Sequence, residues 1–142
     1  MPTVEDRIQI SAPAEEVWST VRDFGAIDEY VPSIARTELS GEGVGATRTL
    51  TLEDGTEVVE RLDALDEETQ VLRYSIVESP LPIEDYEGLL SVQSAGNGAC
   101  EVRWASTFEA DDEVSEEMTG LFEALYAAGL EGLRERHASA EV

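Results

Sequence analysis

Two charged residues, Arg48 and Glu60, stand among apolar neighbours in runs that read as adjacent strands, Thr47–Leu52 and Glu57–Leu62. Alternate residues of a strand point to opposite faces, so Arg48 shares a face with Leu50 and Leu52, and Glu60 with Val58 and Leu62. The intervening Asp54-Gly55 is a hairpin signal. A turn over Asp54–Thr56 pairs Leu52 with Val58 and Leu50 with Glu60. Arg48 and Glu60 then lie diagonally on one apolar face, within reach of each other. Buried charges are tolerated only in partnership, and breaking such a pair costs about 3–5 kcal/mol. Two readings follow. As a polar anchor in an apolar pocket, Arg48 holds a carboxylate, carbonyl or enolate oxygen, while Glu60 or a tyrosine moves protons. As a structural ion pair, the two residues set strand register and touch no ligand.

The same parity extends the face. Leu72, Tyr74 and Ile76, then Tyr86, Gly88 and Leu90, then Val102, Trp104, Ser106 and Phe108 point to the concave side, with Tyr30 closing it from a loop. Phe122, Tyr126 and Gly129 share one face of a C-terminal helix. The candidate ligand-binding set is therefore Tyr30, Arg48, Leu50, Leu52, Val58, Glu60, Leu62, Tyr74, Ile76, Tyr86, Gly88, Leu90, Trp104, Ser106, Phe122, Tyr126 and Gly129. No residue is singled out as catalytic. The leucines would be apolar in any half-buried sheet, and Trp104 and Phe108 suit a plain core. The tyrosines say more, because a buried hydroxyl needs a partner. Gly120, Gly129 and Gly132 each cost about 1 kcal/mol against Ala inside a helix. A glycine facing the sheet leaves room for close approach or for a ligand; one facing solvent leaves neither.

The elements that must position these residues begin with IQISAPAEEVWSTVRDF, residues 8–24. Ile8 and Ile10 alternate as in a half-buried strand. Pro13 suits a first helical position, Glu15 and Glu16 favour the positive end of the helix dipole, and Val17, Val21 and Phe24 form an apolar stripe with Trp18 beside them. Residues 25–34 read as a loop with one short helical turn. Strands follow at Ala35–Leu39, Thr47–Leu52, Glu57–Leu62, Val71–Val77, Tyr86–Val92 and Cys100–Phe108, and a helix runs from about Ser115 to Arg136. Consecutive hairpins with segregated helices predict an α+β domain spanning 1–142. Its seven-stranded antiparallel sheet curves around the long C-terminal helix, and two short helices follow the first strand.

The order and residue types of segment 8–24 resemble the opening of the START-like (SRPBCC, Bet v 1-like) superfamily. Residues 41–86, GEGVGATRTLTLEDGTEVVERLDALDEETQVLRYSIVESPLPIEDY, look like the central part of its bacterial polyketide cyclase/dehydrase-like branch and, more distantly, the plant abscisic acid receptors. The resemblance implies a helix-grip fold around a cavity for a small hydrophobic, lipid- or polyketide-like molecule. It is compatible with a binder, with a cyclase, dehydratase or aromatase, and with an interaction module whose cavity is self-filled. It also implies loops 53–56 and 79–85 as the access points. Here the first is short, the second is stiffened by Pro80 and Pro82, and Asp28 falls where the receptors carry a hormone-gripping base. Abscisic acid is accordingly not expected as the ligand.

Acidic residues number 32 against 9 basic ones, all Arg, for a formal net charge of −23. That charge repels nucleic acids and anionic membranes. Acidic excess without lysine matches the surface bias of proteins from salt-loving organisms; an acidic surface from a GC-rich genome is the alternative. The halophilic reading expects the melting temperature to climb steeply from low to molar salt, and a flat response refutes it. Cys100 is the single cysteine, and no membrane-length apolar run or leader is legible, so a cytoplasmic monomer or homodimer is expected. His137, the single histidine, falls near the C-terminus where fraying is expected, leaving no triad or histidine-rich metal site. GEGVG at 41–45 joins two strands and is followed by no lysine, so it reads as a turn, and the acidic stretch 109–117 lacks the order of a calcium loop. No metal or cofactor is expected.

Overall fold

Strand alternation in this sequence resolves into one antiparallel sheet. In the computed structural model, which describes residues 2–138, the elements are β1 (Thr3–Ile10), α1 (Ala14–Val21), a 3-10 helix (Phe24–Glu29), β2 (Ile34–Ser40), β3 (Thr47–Leu52), β4 (Glu57–Asp66), β5 (Val71–Glu78), β6 (Glu84–Gly96), β7 (Ala99–Glu109) and α2 (Asp112–Ala138). Residue 1 and residues 139–142 of the expected 1–142 domain lie outside the described residues. The sheet order is β1-β7-β6-β5-β4-β3-β2. Consecutive hairpins build the row from β2 to β7, and β1 adds to β7, so the first two strands form opposite edges. Register shifts in β2, β4 and β6 bend the strands. The curved sheet wraps α2, which is the α+β helix-grip architecture expected above.

The core lies between sheet and α2. Val17, Trp18 and Val21 of α1 join it, with Phe24 and Ile27 of the 3-10 helix and Met118, Phe122, Tyr126, Leu130 and Leu133 of α2. Pro13 caps α1 from outside, at φ −62° and ψ 145°, instead of occupying its first turn. Its carbonyl accepts the Glu16 and Val17 amides. Phe24 belongs to the 3-10 helix, so α1 ends earlier than its apolar stripe suggests. β1 starts at Thr3, because pairing with β7 continues to Thr107 although the outward residues there are polar.

The β3–β4 hairpin corrects one expectation. Leu52 pairs with Thr56 around Glu53-Asp54-Gly55, with Gly55 at φ 92°, the geometry of a three-residue turn closed by a left-handed glycine. Arg48 therefore stands directly opposite Glu60, and Leu50 opposite Val58. The diagonal expected from a turn one residue later is wrong. The two registers differ by an even step, so every face assignment survives.

Candidate functional site

The C-terminal half of α2 packs backbone-first, against the segment that follows the 3-10 helix and against Trp104 of β7. A Cβ at Gly132 would lie 2.0 Å from the Tyr30 carbonyl oxygen, and one at Gly129 would lie 2.7 Å from the Trp104 ring and 3.0 Å from Val31. There the helix backbone itself is the packing surface. Earlier in α2 the bulkier Leu121, Phe122, Leu125 and Tyr126 face the sheet across a cavity of about 470 Å³. Leu50, Leu52, Val58, Glu60, Tyr74, Ile76, Tyr86 and Trp104 form its sheet wall. Ile27, Pro32, Ser33, Ile34, Glu53, Asp54, Leu81, Ala124 and Ala128 complete the lining.

Ten of the residues singled out from sequence border this space: Leu50, Leu52, Val58, Glu60, Tyr74, Ile76, Tyr86, Trp104, Phe122 and Tyr126. Seven do not. Arg48 is buried behind Glu60, with Nε 2.8 Å from Glu60 Oε1 and Nη1 donating to the Phe24 carbonyl at 3.0 Å. Its guanidinium lies 3.8 Å from the Phe24 ring centroid and 5.2 Å from that of Tyr74, so cation–π attraction adds to the ion pair. Gly88 seats the Tyr74 ring, which a Cβ would approach to 2.3 Å. Gly129 similarly seats Trp104, so neither glycine makes room for a ligand. Leu62 and Leu90 point to the concave side but are sealed in the core. Ser106 is buried and accepts the Tyr126 hydroxyl, and Tyr30 is buried near the Gly132 contact.

Ile27, Ile34, Leu81, Leu121, Leu125 and Ala128 border the cavity without having been singled out. Leu121, Leu125 and Ala128 recur at helical spacing, so that signal was present in the sequence. Its assignment to a second stripe of α2, beside the Phe122–Tyr126 stripe, depends on how the helix is rotated. His137 departs from expectation too. It is buried, with Nε2 3.0 Å from Thr20 Oγ1, and burial holds its pKa below the ordinary value.

The polar groups of the wall form two sets. The first is Glu60, whose Oε1 takes both Arg48 Nε at 2.8 Å and Nη2 at 2.7 Å. The Nη2 contact is an ion pair without a well-directed hydrogen bond, and Nη2 is fully enclosed. Burial raises the Glu60 pKa, opposed by the Arg48 charge. A neutral Glu60 would strand a permanently charged guanidinium in the core, so the pair is ionised at neutral pH. The second set is a hydroxyl chain. Trp104 Nε1 donates to Tyr74 Oη at 2.9 Å, Tyr74 Oη lies 2.8 Å from Tyr86 Oη, Tyr86 meets Tyr126, and Tyr126 donates to Ser106 Oγ at 2.7 Å. Burial lifts the Tyr74 and Tyr86 hydroxyls well above their usual pKa and that of Tyr126 to about 12. Tyr30 is likewise raised to about 12, with the Arg48 charge opposing. All four stay protonated at neutral pH. Among the described residues no group of His, Cys, Asp and Glu side chains is arranged to hold a metal, and no helix is long and apolar enough to cross a membrane.

A curved sheet gripping a helix over an apolar cavity with few polar groups defines a helix-grip, Bet v 1-like protein. The chain belongs to the polyketide cyclase/dehydrase and lipid transport family, whose sequence pattern matches residues 1–138. Abscisic acid receptor PYL7 of Arabidopsis thaliana is 33% identical over 87 residues, 58% of this chain and 41% of the receptor. The chain thus spans about two fifths of that relative's length. Among solved structures, the XoxI protein of Bacillus cereus superposes with a TM-score of 0.91 at 26% identity, over 100% of this chain and 99% of that one. The Zhui aromatase/cyclase from Streptomyces sp. R1128, at 19% identity and a TM-score of 0.79 over 96% and 93% of the two chains, shares the fold.

Proposed function

We propose that this protein binds a small hydrophobic or aromatic molecule in the cavity between its sheet and α2. The observation that carries this reading is the cavity of about 470 Å³, inside the roughly 300–1,000 Å³ range of small-molecule pockets. Its lining is aliphatic and aromatic except for Glu60, the tyrosine hydroxyls and Ser33, Glu53 and Asp54, the pattern of a site that takes affinity from burial and orientation from a few polar groups. Family membership supports it, as does the similarity to a receptor named for a small ligand. In this reading Arg48 is a positioning residue that holds Glu60, and Glu60, Tyr74, Tyr86 and Tyr126 are the ligand's polar neighbours. The acidic surface, at net charge −23, favours no nucleic-acid partner.

Titration with Nile red, an uncharged dye that brightens in apolar surroundings, tests the reading, together with native mass spectrometry of freshly purified protein. Saturable one-site brightening, competed by a co-purifying molecule, is expected. No brightening and no adduct would indicate a self-filled interaction module instead. A cyclase or dehydratase acting on a polyketide-like substrate is the second reading. Glu60 favours it, because a buried carboxylate beside a cavity is a competent proton acceptor. Turnover that Glu60→Gln abolishes while Nile red still binds would select it.

A further inference from the structure

Hydrogen atoms in the hydroxyl chain have a fixed direction, and that direction decides what the cavity can recognise. An indole N–H is donor only, so Trp104 occupies a lone pair of Tyr74 Oη. At the other end Tyr126 donates its single proton to Ser106. The Tyr86–Tyr126 bond must then be donated by Tyr86, and the Tyr74–Tyr86 bond by Tyr74. Every hydroxyl proton of the three wall tyrosines is consumed inside the chain, and what remains toward the cavity is oxygen lone pairs. Glu60 adds more of the same. Both Arg48 contacts fall on Oε1, Oε2 has no hydrogen-bond partner among the described residues, and Arg48 itself does not border the cavity. Arg48 Nη2 and the Ser33 hydroxyl, which could have supplied donors, are both enclosed. Charged residues among those that border the cavity are Glu53, Asp54 and Glu60, all acidic.

From this we infer that the cavity selects a ligand whose polar end is a hydroxyl, alcoholic or phenolic, and discriminates against carboxylates and other anions. The inference rests on the ligand-binding reading above and adds the chemistry of the ligand's head. A hydroxyl donates to Glu60 Oε2 and leaves no buried group unpaired. A carboxylate finds acceptors where it needs donors, and unpaired buried polar groups are where discrimination is strongest. An ammonium gains less than the acidic lining suggests, because the Arg48 charge cancels that of Glu60 at close range.

Matched probes of one aromatic frame test this at pH 8 in high salt: naphthalene, 2-naphthol and 2-naphthoate, by calorimetry and by quenching of tryptophan emission, since Trp104 lies in the wall. 2-Naphthol is expected to bind at least about tenfold more tightly than 2-naphthoate and more tightly than naphthalene, the step expected of a hydrogen bond to a charged acceptor. Naphthoate binding as tightly as naphthol overturns the inference and leaves the cavity a binding site. Failure of all three probes together with Nile red overturns the binding reading itself. Tyr126→Phe provides an independent arm. It removes the acceptor of the Tyr86 proton, which becomes a free donor beside the cavity, so the naphthol preference over naphthoate should narrow by about three- to tenfold. A variant whose thermal unfolding stays cooperative and whose preference is unchanged overturns the proton direction.

Discussion

The two halves of α2 meet their surroundings differently. Around Gly129 and Gly132 the helix has no side chain between its backbone and the Trp104 ring or the Tyr30 carbonyl. From Leu121 to Ala128 it has side chains, and they border open volume. Helix propensity would favour alanine throughout, by about 1 kcal/mol per glycine replaced. Gly129 and Gly132 sit in the closed half because contact there requires them, whereas a Cβ at Gly120 would meet nothing within 4 Å. A small residue can thus mean a filled interface, and a large one can mean a void, since a bulky side chain props two surfaces apart.

Substitutions in the cavity wall and in each half of α2 should have different consequences. The largest loss is expected at the one wall residue that also braces the fold. Glu60→Ala strands Arg48 behind the cavity and should cost about 3–5 kcal/mol in denaturant unfolding; a cost near that of a neutral truncation would mean Arg48 finds solvent. Next, Gly132→Ala brings a methyl group against the Tyr30 carbonyl and should cost about 1–3 kcal/mol with the helix displaced. A neutral Gly132→Ala would remove the distinction between the halves. On the open side, Ala128→Trp at the exposed edge of the lining should change stability by less than about 0.5 kcal/mol. It should nevertheless weaken Nile red binding severalfold by obstructing the cavity. Loss of stability there, with binding intact, would contradict a hollow half.

The smallest effect is a pH slope at the closed end. Burial, and secondarily the Arg136 charge, hold the folded His137 pKa below its ordinary 6.5, with Glu16 opposing. The unfolded chain therefore binds this proton first, and stability falls as pH drops from about 6.5 toward the folded value, with no contribution above that window. Melting temperature of wild type should decline more across the window than that of His137→Gln, whose difference curve cancels the carboxylate background. Parallel curves would mean that His137 titrates as an exposed group.

Fold and face were legible from sequence because alternation is strict in Thr47–Leu52 and still readable in Glu57–Leu62 and Val71–Val77, and a face assignment survives an even register error. That is why Arg48 and Glu60 were brought together despite a misplaced turn. What alternation does not encode is depth. Leu62 and Leu50 share a face and are both buried, yet only Leu50 borders the cavity. Where α2 closes on its surroundings depends on Gly132 meeting Tyr30 and Gly129 meeting Trp104, contacts between residues far apart in the chain. The same distance hid the burial of His137, whose partner Thr20 lies on α1.

Contact between Gly132 and the Tyr30 carbonyl also has a mechanical meaning. A rigid rod pressed down at one end is a lever, and its pivot lies at the glycines. Fluctuations that lift the stretch from Leu121 to Ala128 would widen the cavity while leaving the pivot and the sheet ladder intact. Under the proposed function, ligand exchange by such a motion would be a local opening, at a fraction of the free energy of unfolding. Amide hydrogen exchange along α2 should record it as a gradient, fast in the arm and slow at the fulcrum.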